Sequence, residues 1–186
     1  LIALSFGSSL GDGKLLLSAL KTGLTGLGLA FLVSLFIGMV WPVDIGRGEA
    51  LIASTEILAR TDVGLAGVAL ALVSGAAAVL SLTTGLSSTL VGVMVAVALL
   101  PPTATMGMLV GAGYTKLAGG AMLLLAVNVV CVIISAKLVF LAKGVQPRTW
   151  HERNKARQST VLYGAIWGAL LLVLVLIVYA RHRVFA

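Results

Sequence analysis

Residues 89–113 read TLVGVMVAVALLPPTATMGMLVGAG, and this stretch decides the fold class. It carries no charged side chain, and as a helix it is long enough to cross the roughly 30 Å of hydrocarbon in a bilayer. Four more apolar stretches of this kind occupy residues 18–41, 63–82, 117–142 and 160–180. Across all five, the only charges are those of Lys21 and Lys137. The sequence therefore predicts an all-α polytopic membrane protein with about five full transmembrane helices.

The composition disfavours soluble enzymes, nucleic-acid-binding domains and secreted disulfide-bonded domains. Of 186 residues, 60% are hydrophobic and 10% are charged, against about 45–50% and about 25% in an ordinary soluble domain. The 13 Lys and Arg outnumber the 6 Asp and Glu. We expect these basic residues to hold loops on the cytoplasmic side of the cell inner (plasma) membrane. The basic loop 143–159 is expected to meet anionic lipid headgroups of the bilayer, and no nucleic acid partner is expected.

The first ten residues are apolar but too short to cross a bilayer. They are interpreted as the C-terminal half of a partial first membrane helix, so the chain is expected to be a fragment of a longer polypeptide. The pattern Gly7-x-x-x-Gly11-x-Gly13 recurs 100 residues later, ending at Gly113, which predicts an inverted repeat like those of secondary transporters. With 22 glycines in the chain, a chance match is the alternative.

Two consecutive prolines, Pro101 and Pro102, lie in the middle of the 89–113 stretch. Proline has no backbone N–H and clashes with the preceding turn, so the helix is predicted to break there. A break presents N–H groups and the positive end of a helix dipole, beside which Thr103 and Thr105 add hydroxyl groups. This predicts a mid-membrane binding site for a small polar or anionic solute. The alternative is a kinked helix whose freed carbonyls are satisfied by a neighbouring side chain.

Three more residues are candidates for the same site. Asn128 carries the only side-chain amide within the five apolar stretches, so it is expected either on the solute path or in an interhelical hydrogen bond. Ser74 and Gly75 begin a run of small residues. Such a run favours close helix packing, and a place in the binding site is its second interpretation.

Residues 50–60 predict a short helix at the membrane interface, before the 63–82 stretch. Glu56 and Arg60 are spaced i, i+4 on it, a spacing that brings opposite charges together on one helix face. With Thr61, they are predicted to form an interfacial gate.

Catalytic and cofactor chemistry has no basis in this sequence. No Ser/His/Asp set, paired carboxylate, Cys/His cluster or phosphate-binding loop occurs, and the single Cys131 is expected to pack in the apolar interior. We therefore expect no enzyme activity, no cofactor and no metal site. The apolar stretches hold no carboxylate, and we expect them to hold no buried cation. This argues against a carrier that couples transport to an ion through acids embedded in the membrane.

An ordered set of motifs resembles one family, the uncharacterised hydrophobic proteins of bacteria and archaea known as domain of unknown function 389. The set consists of residues 56–61, 74–78 and 90–102, followed by Gly107 and Asn128. The likeness extends to about residue 141. It implies a multi-helix inner-membrane protein, commonly with a soluble N-terminal domain ahead of the first membrane helix, and a first helix broken like the 89–113 stretch.

Two functions are compatible with these observations. The first is a transporter or channel for a small polar or anionic solute, with its site at broken helices. The alternative is a non-transporting membrane anchor, assembly or signal-relay module for a soluble N-terminal domain. In either case, the small-residue face from Gly164 to Gly168 favours a homo-oligomer.

Overall fold

The computed structural model describes residues 2–10, 13–41, 51–85, 88–143 and 150–185, and every regular element in these ranges is a helix. In chain order the helices are α1 (Ile2–Leu10), α2 (Gly13–Val40), α3 (Leu51–Ala59), α4 (Leu65–Thr83), α5 (Ser88–Gly111), α6 (Thr115–Ala142) and α7 (Trp150–Phe185).

Five of these helices correspond to the five predicted apolar stretches. Within the described ranges, α2, α6 and residues 91–111 of α5 are long and apolar enough to cross a membrane, and residues 67–83 of α4 and 164–180 of α7 form shorter apolar helices. The predicted fold class, an all-α polytopic membrane protein, is confirmed. The short helix predicted over residues 50–60 is present as α3, and its position at the membrane interface stays a prediction.

Helix α6 lies at the centre of the bundle. It packs against α1, α4, α5 and α7, whereas α2 packs against α5 and α1. Half of the most apolar part of α6 is buried, compared with 11% for α2. Cys131 is a free thiol in the buried cluster that joins α4, α6 and α7, as expected from the sequence.

Glycines allow two helix pairs to approach closely. A β-carbon on Gly107 of α5 would lie 2.6 Å from the Phe31 carbonyl oxygen of α2, and one on Gly75 of α4 would lie 2.7 Å from the Val132 carbonyl oxygen of α6. Backbones are therefore in direct contact at both crossings, which is the usual role of small residues between membrane helices. At Gly75, the packing interpretation is the one that the structure supports.

Helix α5 is continuous from Ser88 to Gly111 with Pro101 and Pro102 inside it. The predicted break is thus replaced by an uninterrupted helix. The proline ring fixes φ near −65°, which is a helical value, so the cost of a mid-helix proline is a lost hydrogen bond and a local clash. Part of that cost is offset because an α6 side chain, Asn128, donates to one of the two carbonyls that lack a helical donor.

Two further expectations are corrected. Residues 150–159, assigned to a basic loop, form the first turns of α7, because they contain no glycine or proline and are followed by an apolar helix. The rest of that loop after Lys143, residues 144–149, lies outside the described residues.

Lys137 is 4% exposed on α6, so the expectation of no buried cation is wrong. The α6 helix is surrounded on several sides, and its sequence does not distinguish the buried faces.

The internal repeat stays a prediction. Gly11, which belongs to the first copy of the glycine pattern, lies outside the described residues, as do residues 42–50. In the second copy, Gly107 and Gly111 contact α2, and Gly113 forms the turn between α5 and α6.

Candidate functional site

A cavity of about 500 Å³ lies between α3, α4, α5 and α6. Along α4 it is lined by Gly64, Gly67, Leu70, Ala71 and Ser74, which recur every three or four residues and therefore share one helix face. The ten residue-to-residue steps from Gly64 to Ser74 correspond to about 15 Å of helix, which is roughly half the thickness of the hydrocarbon core. The cavity thus follows the first half of α4 and ends near its middle.

Helices α5 and α6 line the inner end of the cavity. The α5 residues are Met94, Val97 and Ala98, and the α6 residues are Leu124 and Asn128. Asn128 is the fourteenth of the 28 residues in α6. The polar side chain at the inner end therefore lies at the midpoint of a helix long enough to span the membrane.

The turn between α5 and α6 sets the register that places Asn128 opposite Ala98. Gly113 has φ +84°, and its N–H donates to the Val110 carbonyl while the N–H of Tyr114 donates to the Leu109 carbonyl. This is the Schellman motif, which ends a helix with a left-handed glycine. Ala98 lies 15 residues before Gly113 and Asn128 lies 15 residues after it. In an antiparallel helical hairpin, positions equidistant from the turn lie at the same level, and the hydrogen bond between Asn128 and Ala98 shows that these two also face each other.

The Asn128 amide supplies the hydrogen bond that Pro102 lacks. Its Nδ2 atom donates to the Ala98 carbonyl oxygen at 2.9 Å. In a regular helix that carbonyl accepts from the N–H four residues later, and residue 102 is a proline. The Oδ1 atom of Asn128 is buried and has no hydrogen-bond partner among the described residues. One side chain thus satisfies one carbonyl of α5 and retains a buried, unused acceptor on a residue that lines the cavity.

The hydroxyl groups after the prolines do not line the cavity. Thr103 is 1% exposed, and its Oγ1 donates to the Leu99 carbonyl at 2.7 Å within the same helix. Thr105 is also buried, and so is the Pro102 ring. Because α5 is continuous, the first-turn N–H groups predicted after Pro102 are not free to bind a solute.

Charged residues line the cavity at the junction of α3 and α4. The Nη2 atom of Arg60 lies 3.6 Å from Oε2 of Glu56, the pair predicted from the i, i+4 spacing. Asp62 lines the same part of the cavity. Thr61 is buried and its hydroxyl donates to the Leu58 carbonyl at 2.7 Å, so it closes the end of α3 instead of lining the cavity.

Four of the ten predicted site residues line the cavity, namely Glu56, Arg60, Ser74 and Asn128. Outside the lining are Pro101, Pro102, Thr103, Thr105, Gly75 and Thr61. Sequence reasoning missed Asp62 and the α5 residues before the prolines. The equal spacing of Ala98 and Asn128 from Gly113 indicates that they lie at the same level, but it does not show which faces of α5 and α6 meet. The hydroxyl of Ser74 donates to Leu70 within α4 at 2.8 Å.

No group of three or more His, Cys, Asp or Glu side chains in the described part of the chain is placed to hold a metal ion.

Comparisons with known proteins place these features in a family. A family model described as "Domain of unknown function (DUF389)" matches residues 1–134, a range that includes the whole cavity lining. An uncharacterized protein of Methanocaldococcus jannaschii is 34% identical over 179 residues, which is 96% of this chain and 54% of the relative. The chain thus spans about half the length of that relative. No solved structure matches the chain.

Proposed function

This chain belongs to the DUF389 family, as its motifs predicted, and we propose that it carries a small polar solute across the membrane through the cavity between α3, α4, α5 and α6. The observation that carries the proposal is the depth of the cavity. It begins at a charged junction and ends at a polar side chain midway along α6. Transporter sites typically lie at mid-membrane depth between helices with irregular hydrogen bonding.

The volume of the cavity suits a small solute. About 500 Å³ falls within the 300–1,000 Å³ typical of small-molecule sites. Asn128 at the inner end and Ser74 on α4 are the side chains that we assign to solute contact. Pro101 and Pro102 act through the backbone, because they remove two donors from α5. Thr103, Thr105 and Gly75 support the helices that form the walls.

The Glu56–Arg60 pair is assigned to the gate at the outer end. Both side chains are accessible, at 74% and 43% exposure respectively, and the separation is 3.6 Å. Exposed i, i+4 pairs contribute only about 0.3–0.5 kcal/mol. The pair therefore opens at little cost, as a gate requires. Thr61 holds the end of α3 on which the pair is mounted.

The proposal includes the setting of the protein. We place it in the cell inner membrane as a multi-pass homo-oligomer, with basic residues near anionic headgroups, acting without a cofactor and without catalysing a reaction. The apolar helices and the excess of basic residues support this setting.

The test is solute efflux from proteoliposomes that contain the full-length protein. The trapped probes are labelled guanidinium, potassium, glycine, urea, nitrate and phosphate. We expect efflux of at least one probe to exceed that from protein-free liposomes. The Gly67→Leu substitution should fill the cavity, because the nearest atom to a β-carbon at this position is Leu124 Cδ1, at 3.9 Å. We expect it to return efflux to background.

The matched control is Gly92→Leu on α5, where a β-carbon meets no atom within 4 Å and the position is outside the cavity. Efflux should be retained in this variant. Background efflux of all six probes with the wild-type protein, or equal loss in both variants, would refute transport through this cavity.

The alternative function is a non-transporting anchor or relay module for a soluble domain. The observation that favours it is that the relative from Methanocaldococcus jannaschii has nearly as much chain again outside the matched region. Background efflux for every probe would favour this alternative.

A further inference from the structure

We infer that the cavity takes a small organic cation that carries several N–H donors, in preference to an anion. The inference deepens the proposed function and rests on it for the solute's passage. It follows from the inventory of hydrogen-bonding groups and charges around the cavity.

The inner end of the cavity offers acceptors. One N–H of Asn128 is used by the Ala98 carbonyl, while the buried Oδ1 has no hydrogen-bond partner among the described residues. Val97 also lines the cavity, is exposed, and its carbonyl lacks the usual donor four residues later because residue 101 is a proline. A buried acceptor without a donor is costly, so a solute that donates hydrogen bonds is stabilised there.

The outer end of the cavity carries net negative charge. Among the described lining residues, Glu56 and Asp62 are acidic and Arg60 is basic, which gives a formal charge of −1. The Arg60 guanidinium is already 3.6 Å from Glu56. A lining with this charge raises the local concentration of cations and lowers that of anions.

The described lining residues offer an anion few uncommitted donors. The Arg60 guanidinium lies 3.6 Å from Glu56, and the Ser74 hydroxyl donates to Leu70. Asn128 has one N–H left after its bond to Ala98. An anion in a membrane interior requires several N–H or O–H groups to replace its water. The uninterrupted α5 helix does not free a first turn of N–H groups, and Thr103 donates its hydroxyl to Leu99. The anionic solute predicted from a broken helix thus loses its physical basis.

Three probes distinguish a site that prefers cations from one that prefers anions or neutral hydrogen-bond donors. Guanidinium, urea and nitrate are planar, three-coordinate molecules of similar size that differ in charge and in N–H donors. Guanidinium has both a positive charge and donors, urea has donors alone, and nitrate has a negative charge and no donor.

The experiment measures saturable binding of each labelled probe to the full-length protein in detergent, by equilibrium dialysis at matched ionic strength. We expect guanidinium to bind saturably, urea to bind more weakly, and nitrate to show no saturable binding. Two exposed charges provide opposite tests. Asp62→Asn should weaken guanidinium binding at least about threefold, and Arg60→Gln should strengthen it by a similar factor.

Asn128→Leu should weaken guanidinium binding about tenfold, because it removes the inner acceptor. The control is Thr25→Ala on α2, where the lost hydroxyl bonds only to Lys21 of its own helix and lies outside the cavity. Binding should be unchanged in this variant. If Asn128→Leu does not fold, the opposite changes in guanidinium affinity of Asp62→Asn and Arg60→Gln still test the cation preference.

Saturable binding of nitrate without guanidinium, shifts of equal sign in Asp62→Asn and Arg60→Gln, or no binding of any probe would overturn the inference. The outcomes also distinguish failure of this inference from failure of the proposed function. Nitrate efflux that Gly67→Leu blocks would refute the cation preference and retain transport. Guanidinium binding without efflux of any probe would retain the cation site and refute transport.

Discussion

Pro102 and Asn128 lie in different helices, and the side chain of one compensates for the missing backbone donor of the other. Proline leaves the Ala98 carbonyl without its helical partner, and the Asn128 Nδ2 atom donates to it at 2.9 Å. In the hydrocarbon core, where water does not supply a substitute, this hydrogen bond satisfies one of the two carbonyls that the prolines leave without a donor, and α5 is continuous through both. Asn128 thus has a structural role, while its buried Oδ1 atom has no hydrogen-bond partner among the described residues.

A double-mutant cycle tests this compensation. Asn128→Leu should lower the free energy of unfolding by about 1–2 kcal/mol, because the Ala98 carbonyl loses its donor. Pro102→Ala restores a backbone N–H to that carbonyl, so in this background the same substitution should cost about 1 kcal/mol less. The measurement is reversible unfolding of the full-length protein in mixed detergent micelles.

Ser74→Ala is the control for that cycle, because the Ser74 hydroxyl bonds only within its own helix, to Leu70. It should change stability by less than about 0.5 kcal/mol in both backgrounds. Additive effects of Asn128→Leu and Pro102→Ala would show that the amide does not replace the proline donor.

Between helices, the closest contact is that of α2 with α5. Gly107 and Gly111 of α5 meet the α2 backbone near Phe31 and Leu35, and Gly38 of α2 meets Met108. Both membrane helices are apolar, so burial of apolar surface from water does not drive their association. Van der Waals packing at these glycines is the main attraction, and it depends on the absence of side chains.

Substituting Gly107→Ala tests this contact. The new β-carbon would lie 2.6 Å from the Phe31 carbonyl oxygen, so the two backbones must separate. We expect a loss of about 1–3 kcal/mol in the free energy of unfolding. Gly92→Ala on the same helix, where a β-carbon meets no atom within 4 Å, should be neutral or stabilising. Equal stability of the two variants would exclude close α2–α5 packing.

At the scale of the whole molecule, α6 organises the bundle. It contacts α1, α4, α5 and α7, and the cavity ends against its midpoint. The Ser5 hydroxyl of α1 donates to the Ile133 carbonyl of α6 at 3.2 Å, which ties the first helix to the central one. Because α4 and α5 are antiparallel and each is apolar over a long segment, their ends should alternate between the two sides of the membrane.

Labelling of single cysteines tests this topology in a Cys131→Ala background. Thr84 lies between α4 and α5, Tyr114 lies between α5 and α6, and Glu56 precedes α4. All three are exposed. In intact cells, cysteines that replace Glu56 and Tyr114 should give the same result with an impermeant maleimide, either labelled or protected. A cysteine that replaces Thr84 should give the other result. Identical labelling of Thr84 and Tyr114 would mean that α5 does not cross the membrane, and identical labelling of Glu56 and Thr84 would mean the same for α4.

Much of the fold follows from local features of the sequence. Long uncharged stretches identify the membrane helices, because a buried charge or an unpaired backbone group is too costly in hydrocarbon. The Glu56–Arg60 pair follows from the i, i+4 spacing on one helix. The need for a partner at the carbonyls before Pro101 and Pro102 follows from proline chemistry alone. The spacing of Ala98 and Asn128 about Gly113 predicts that they lie at the same level, although not that their faces meet.

The sequence by itself thus determined the class of protein, the membrane segments, the family and the donors that α5 lacks, since each depends on covalent structure and short-range spacing. Only the tertiary structure decided that α5 stays helical, that Lys137 is buried, that Gly75 packs against α6 and that Asp62 lines a cavity. The physical reason is that helices which are apolar on every side carry no amphipathic stripe to mark their contact faces. Which faces meet depends on close packing between helices, and that is a property of the assembled bundle.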